Sequence, residues 1–130
     1  MTKNELSQLF WLEKEVTQQK ERLAELESAA RNITSPLTGA PRKSEKTDKT
    51  GNVAIQIADM KTLLDLSIQK CWREKNRLMR YIMEIDDSLM RQIMLCRFVD
   101  CLNWIQVAWK IGGNNTAESV KKACYRFLER

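Results

Sequence analysis

From Asn4 to about Arg31 the chain carries neither Gly nor Pro, and one set of positions recurs at alternating spacings of three and four. These are Leu9, Leu12, Val16, Gln19, Leu23, Leu26 and Ala30, the a/d seam of a coiled coil. The pattern predicts a long helix flanked by Glu13, Lys14, Glu15, Lys20, Glu21, Arg22, Glu25 and Glu27. Gln19 is the polar member of the seam, where an amide selects register at some cost in stability. A second stripe, Ile57, Met60, Leu64, Ile68, Cys71, Leu78, Ile82 and Ile85, predicts another long helix over 52–85, with Lys75 as its polar interruption. The two helices either fold on each other as an antiparallel hairpin or pair with another subunit; the period alone leaves both open.

Between them the pattern breaks. Ser35-Pro36, Gly39, Pro41 and the polar run Arg42–Thr50 offer almost nothing to bury, so residues 32–51 are expected to form a flexible linker. Its Arg42, Lys43, Lys46 and Lys49 are read first as solvated charge and second as contacts to a nucleic-acid backbone.

The period shortens after Ser88, which is expected to cap a helix Leu89–Asp100 with Leu89, Ile93, Phe98 and Val99 in the core. Asn103 then caps Trp104–Ile111, where Trp104, Val107, Ala108 and Ile111 share a face. Trp109 lies off that face and is expected to pack on the helical body, a second subunit or a protein partner. Gly112-Gly113 ends the helix, because Gly adopts positive φ cheaply. Asn115 to Glu118 reads as a capping box opening a last helix, with Val120, Ala123, Cys124 and Phe127 inward and Ser119, Lys121, Lys122 and Arg126 partly outward. Two short helices around a Gly/Asn turn, the second one basic, form the pattern of a helix-turn-helix. The fold class expected is all-α: a long helical hairpin or coiled coil (1–31 and 52–85) followed by a three-helix helix-turn-helix domain (86–130).

Charge sharpens this picture. The 130 residues carry a formal net charge of +5. By segment it is −1 for residues 1–31, +2 for 32–52, zero for 53–88 and +4 for 89–130, so the excess gathers where the helix-turn-helix is expected. The candidate DNA-facing set is Asn114, Asn115, Thr116, Glu118, Ser119, Lys121, Lys122, Tyr125 and Arg126. Double-stranded DNA is the expected partner, and a homodimer or higher homo-oligomer the expected assembly.

Other chemistry finds little footing. Cys71, Cys96, Cys101 and Cys124 contain no CxxC pair, and the chain has no histidine, which argues against a zinc site. Reduced thiols among apolar neighbours are expected instead, without metal or cofactor. Without histidine and with no readable nucleophile–base pair, an enzyme is not expected. Asp86–Asp87 reads as a helix-start signal. No apolar run is of membrane-spanning length and no signal-peptide pattern occurs, so a soluble cytoplasmic protein with no membrane partner is expected.

The run from Arg97 to Gly112, followed by Asn115–Lys122, resembles region 4 of sigma factors. It is most similar to that region's relatives among small phage-encoded regulators of Gram-positive bacteria, the ArpU-like late-gene activators. The resemblance covers about residues 86–130; upstream it is one of architecture. It implies a phage or prophage transcription regulator in the host cytoplasm, a last helix that enters the major groove, and contact with RNA polymerase. A small terminase-like protein of phage packaging, or a coiled-coil assembly protein that binds no DNA, would use a similar helical layout.

Overall fold

The computed structural model describes residues 1–34 and 44–130, with side chains for 1–32 and 51–130. Arg42 and Lys43, and the side chains of Lys46 and Lys49, lie outside the described residues. Every element described is helical: α1 (Lys3–Leu6), α2 (Gln8–Thr34), α3 (Ser44–Met83), α4 (Ser88–Met94), a π turn (Leu95–Val99), α5 (Trp104–Ile111) and α6 (Ala117–Leu128). No helix among the described residues is long and apolar enough to cross a membrane.

The expected first helix is interrupted at Ser7. Its hydroxyl donates to the Lys3 carbonyl at 2.9 Å and its backbone N–H to the same carbonyl at 3.0 Å, an i−4 back-bond that bends helices. Both long helices reach further into the polar stretch than the 32–51 boundary allows, α2 to Thr34 and α3 from Ser44. A polar run is compatible with helix wherever Pro is absent, and Gly51 costs about 1 kcal/mol without stopping it.

The chain divides into two compact units. In the unit Lys14–Gln69, α2 is covered along the expected stripe: Val16 is buried, and Gln19, Leu23, Leu26 and Ala30 are half-buried. On α3 the half-buried residues are Val53, Ile57, Met60, Leu64, Ser67 and Ile68. Glu27 and Lys61 form an ion pair at 3.8 Å, and Leu26 and Ala29 border a shallow cleft with Gln56 and Met60. The Gln19 side-chain oxygen is buried with no hydrogen-bond partner among the described residues.

The second unit joins Met1–Glu13 to Lys70–Arg130. Its core is wider than the segment 86–130. Leu6 and Leu9 from α1 and α2, and Leu78 and Ile82 from α3, are completely buried in one cluster with Ile93, Met94, Phe98, Val107, Val120 and Cys124. Glu5 pairs with Arg77 at 3.9 Å, and the Lys75 ammonium sits 5.4 Å from the Trp72 ring. The Thr2 N–H, donating to the Glu5 carboxylate at 2.8 Å, is the main reason that carboxyl titrates below its ordinary value, with Arg77 adding to it.

Two expectations about α4 change. Asp87, not Ser88, is the cap, its carboxylate accepting from the Leu89 N–H at 3.0 Å and the Met90 N–H at 3.4 Å. Leu89, in the first turn, is 48% exposed, while Met90 and Met94 enter the core beside the expected Ile93. The Arg91 guanidinium donates to the Ile85 and Asp86 carbonyls in the connection between α3 and α4, tying that connection to α4.

The expected helix Leu89–Asp100 becomes α4 followed by the π turn. The wider turn puts Cys96, Phe98 and Val99 all inside, which an α-helical spacing would not do. It ends at Cys101, whose φ of 57° is left-handed and is commonly left to Gly. Leu102 N–H donates to Cys96 O at 3.0 Å, closing the end with a ring one residue wider than the six-to-one bond of an ordinary α-helical end.

Candidate nucleic-acid interface

The last two helices are fixed at their starts by reciprocal hydrogen bonds. At α5 the Asn103 side chain accepts from the Gln106 N–H at 2.8 Å, while Gln106 accepts from the Asn103 N–H at 3.0 Å. Gln106 completes a capping box that the sequence reading missed, although Asn three residues before Gln is its ordinary signature. At α6 the cap is Thr116, one residue after the expected Asn115, and its partner is Ser119 rather than Glu118. Thr116 Oγ1 accepts from Ser119 N–H at 3.1 Å, and Ser119 Oγ accepts from Thr116 N–H at 2.9 Å. Asn115 instead donates from its amide to the Gly112 carbonyl at 3.0 Å, closing the turn.

That turn needs its glycines. Gly112 and Gly113 have φ of 77° and 69°, and the Gly112 N–H donates to Ala108 O at 3.1 Å, ending α5. Val107 and Ala108 of α5 then pack in the core with Val120 and Cys124 of α6, as the sequence pattern implies. Trp104 and Ile111 are half-buried beside them.

A row of alternating cations and aromatic rings further fixes α6. The Arg97 guanidinium lies 4.8 Å from the Trp104 ring and donates to Leu102 O at 2.9 Å. Trp104 meets Tyr125 edge-on at 5.8 Å, and the Lys3 ammonium lies 4.2 Å from the Tyr125 ring. Each cation over a ring contributes about 0.5–1 kcal/mol at such exposed sites. Lys3 carries no sequence signal for this role, because the contact joins opposite ends of the chain.

The nine candidate residues therefore separate into groups. Asn115, Thr116 and Ser119 are exposed, but their side chains hold the turn and cap. Tyr125 is half-buried within the ring contacts, and half-buried Lys121 lies on the same flank, 6.0 Å from that ring. Glu118, Lys122 and Arg126 follow at intervals of four along α6, forming one exposed line opposite Val120 and Cys124. Asn114 is exposed in the turn. Beside this surface, Ile105 and Trp109 of α5 are 71% and 88% exposed, so Trp109 does not pack on its own helical body. They border a groove with Gly113, Thr116 and Ala117.

The thiols sit behind this face. Burial pushes Cys96 above the ordinary thiol value, Cys124 to about 11, and Cys101 to about 12, the last helped by the Glu13 carboxylate. All four cysteines are free thiols. Comparison of the chain with protein families, characterised proteins and solved structures gave no match.

Proposed function

We propose that this chain is a sequence-specific DNA-binding transcription regulator of phage or prophage genes, akin to the sigma region 4-like regulators it resembles. In this reading α5, the glycine turn and α6 act as a helix-turn-helix, with α6 in the major groove. The observation that carries the proposal is the exposed line Glu118–Lys122–Arg126 on a doubly capped helix held from behind by Val107 and Ala108. Lys122 and Arg126 meet phosphates, with Lys121 and Lys3 adding positive charge at the flank. Asn114 and Glu118 are placed nearest base edges, Glu118 being able to accept from a cytosine amino group.

The long helices pair as an antiparallel hairpin and serve association, so that two reading helices engage a repeated half-site. Contact with RNA polymerase belongs to the same resemblance.

An ionic-strength titration on random duplexes and on a site selected from a random pool tests the proposal. Losing one phosphate contact lowers the logarithmic salt slope by about 0.9. Lys122→Ala or Arg126→Ala should do so on all sequences alike, whereas Asn114→Ala or Glu118→Ala should alter sequence preference. A folded wild-type chain that binds no duplex even at low salt would sink the DNA reading in favour of an assembly protein. A ring-shaped oligomer that selects a phage packaging site would replace it with the packaging reading.

A further inference from the structure

Within the unit that joins Met1–Glu13 to Lys70–Arg130, α3 carries a second seam on the face turned away from the core. On its inner side Leu78 and Ile82 are completely buried and Cys71 is half-buried. On its outer side Trp72, Asn76, Met79 and Met83 follow at spacings of four, three and four, which keeps them in one line along a helix. Trp72, Met79 and Met83 are 60%, 38% and 61% exposed, and Asn76 among them is exposed as well. In the same register Arg73 and Arg80 occupy one flank of the line and Lys75 the other. All seven residues belong to this unit.

The flanks select an occupant. Arg73 and Arg80 are exposed and form no ion pair among the described residues. The Lys75 ammonium sits by the Trp72 ring. The acids of this stretch, Glu74 and Glu84, lie on neither flank, and Glu74 is held by Arg77 at 2.9 Å. A complementary surface therefore brings an apolar seam with carboxylates on both sides of it. We propose that this face of α3 docks an acidic amphipathic helix of another protein. A second copy of the chain does not fit. Antiparallel pairing would set the Arg73–Arg80 flank against the same flank of the copy, and parallel pairing would set it against Lys75, so like charges meet in either direction. A nucleic-acid backbone would satisfy the cations but leave Met79 and Met83 without apolar surface to cover them. Helix-on-helix docking uses both, with Trp72 as the anchor and the flexible methionines fitted around the partner. The proposal goes beyond the functional reading and does not depend on DNA binding.

Fluorescence anisotropy of a labelled synthetic helix tests it, with the full chain as titrant and no DNA present. The probe is a peptide several heptads long with leucine at both seam positions and glutamate on both flanks; its analogue carries lysine on the flanks. The glutamate peptide should bind at least about tenfold more tightly than the lysine analogue, and less tightly as salt is added. Trp72→Ala, or Met79→Gln with Met83→Gln, should weaken that binding at least about tenfold. Circular dichroism should show helix content retained, since these side chains are exposed in the single chain. Arg73→Glu with Arg80→Glu should reverse the preference between the two peptides. No binding of the glutamate peptide, equal binding of the two, indifference to Trp72 and the methionine pair, or a preference that survives the charge reversal each overturns the proposal. So does stoichiometric displacement of the peptide by duplex DNA, which would assign the face to nucleic acid.

Discussion

Val107 and Trp109 stand two residues apart on α5, one wholly buried and the other 88% exposed. Replacing each with alanine separates the effect of burial from that of side-chain size. Val107→Ala deletes two methyl groups, each contributing about 0.8 kcal/mol through burial. The cavity left behind adds roughly 1 kcal/mol where its neighbours do not collapse into it. The better helix propensity of alanine returns about 0.5 kcal/mol, so the net loss should be about 2 kcal/mol. Trp109→Ala removes far more, a change that costs about 3–5 kcal/mol in a core. Nearly all of that ring is already in water, however, so the variant should lie within about 0.5 kcal/mol of wild type. Urea unfolding followed by circular dichroism reads both without relying on tryptophan emission. With a slope of about 2 kcal/mol per molar, the Val107→Ala midpoint should fall by about 1 M and that of Trp109→Ala should not move. Equal loss in the two variants, or a greater loss at Trp109, would refute the packing described for α5.

Gln19→Leu should stabilise the chain by about 1–2 kcal/mol in the same assay, because it replaces a buried oxygen without a partner by an apolar group; a loss of stability would show that the oxygen is satisfied. The raised Cys124 thiol favours the folded state below the ordinary value of 9.0, and that contribution should be lost as pH rises toward about 11. Alkylation with iodoacetamide near pH 8 should accordingly spare Cys101 and Cys124 in the native protein and modify both in urea; equal rates in the two conditions would contradict their burial.

The apolar stripes were legible because burial follows helical period. Each expected seam residue of α2, from Leu9 to Ala30, is buried or half-buried, and so is each member of the stripe from Ile57 to Ile85. Asn103 and the two glycines likewise declare themselves through chemistry local to a few residues. Caps with competing neighbours were harder to place. Asp87 and Ser88 are both good caps, as are Asn115 and Thr116, and choosing the wrong one shifts the helix by a residue. At α6 the displaced cap changes the box partner from Glu118 to Ser119 and leaves Glu118 on the open line, where it had also been expected as a DNA-facing residue.

The π turn was illegible because a mixed apolar run fits either helix type until packing decides. Contacts between distant parts of the chain, such as Lys3 with Tyr125, leave no mark in either local sequence. Among the candidate residues, the sequence could say which side chains are polar. It could not say that Thr116 and Ser119 spend their hydroxyls on each other.

A π turn holds one residue more than the α turn it replaces, so Leu95–Val99 is equivalent to a single-residue insertion in the helix begun by α4. Each residue of an α-helix rotates the chain by roughly 100° and advances it by about 1.5 Å. Deleting one residue from this stretch would restore an ordinary turn and leave α5 and α6 internally intact. It would also swing both of them through that angle about the α4 axis, like a gear slipped by one tooth. The aim of the carboxy-terminal helices is thus set in part by a count of residues outside those helices, where a single-codon change should redirect them.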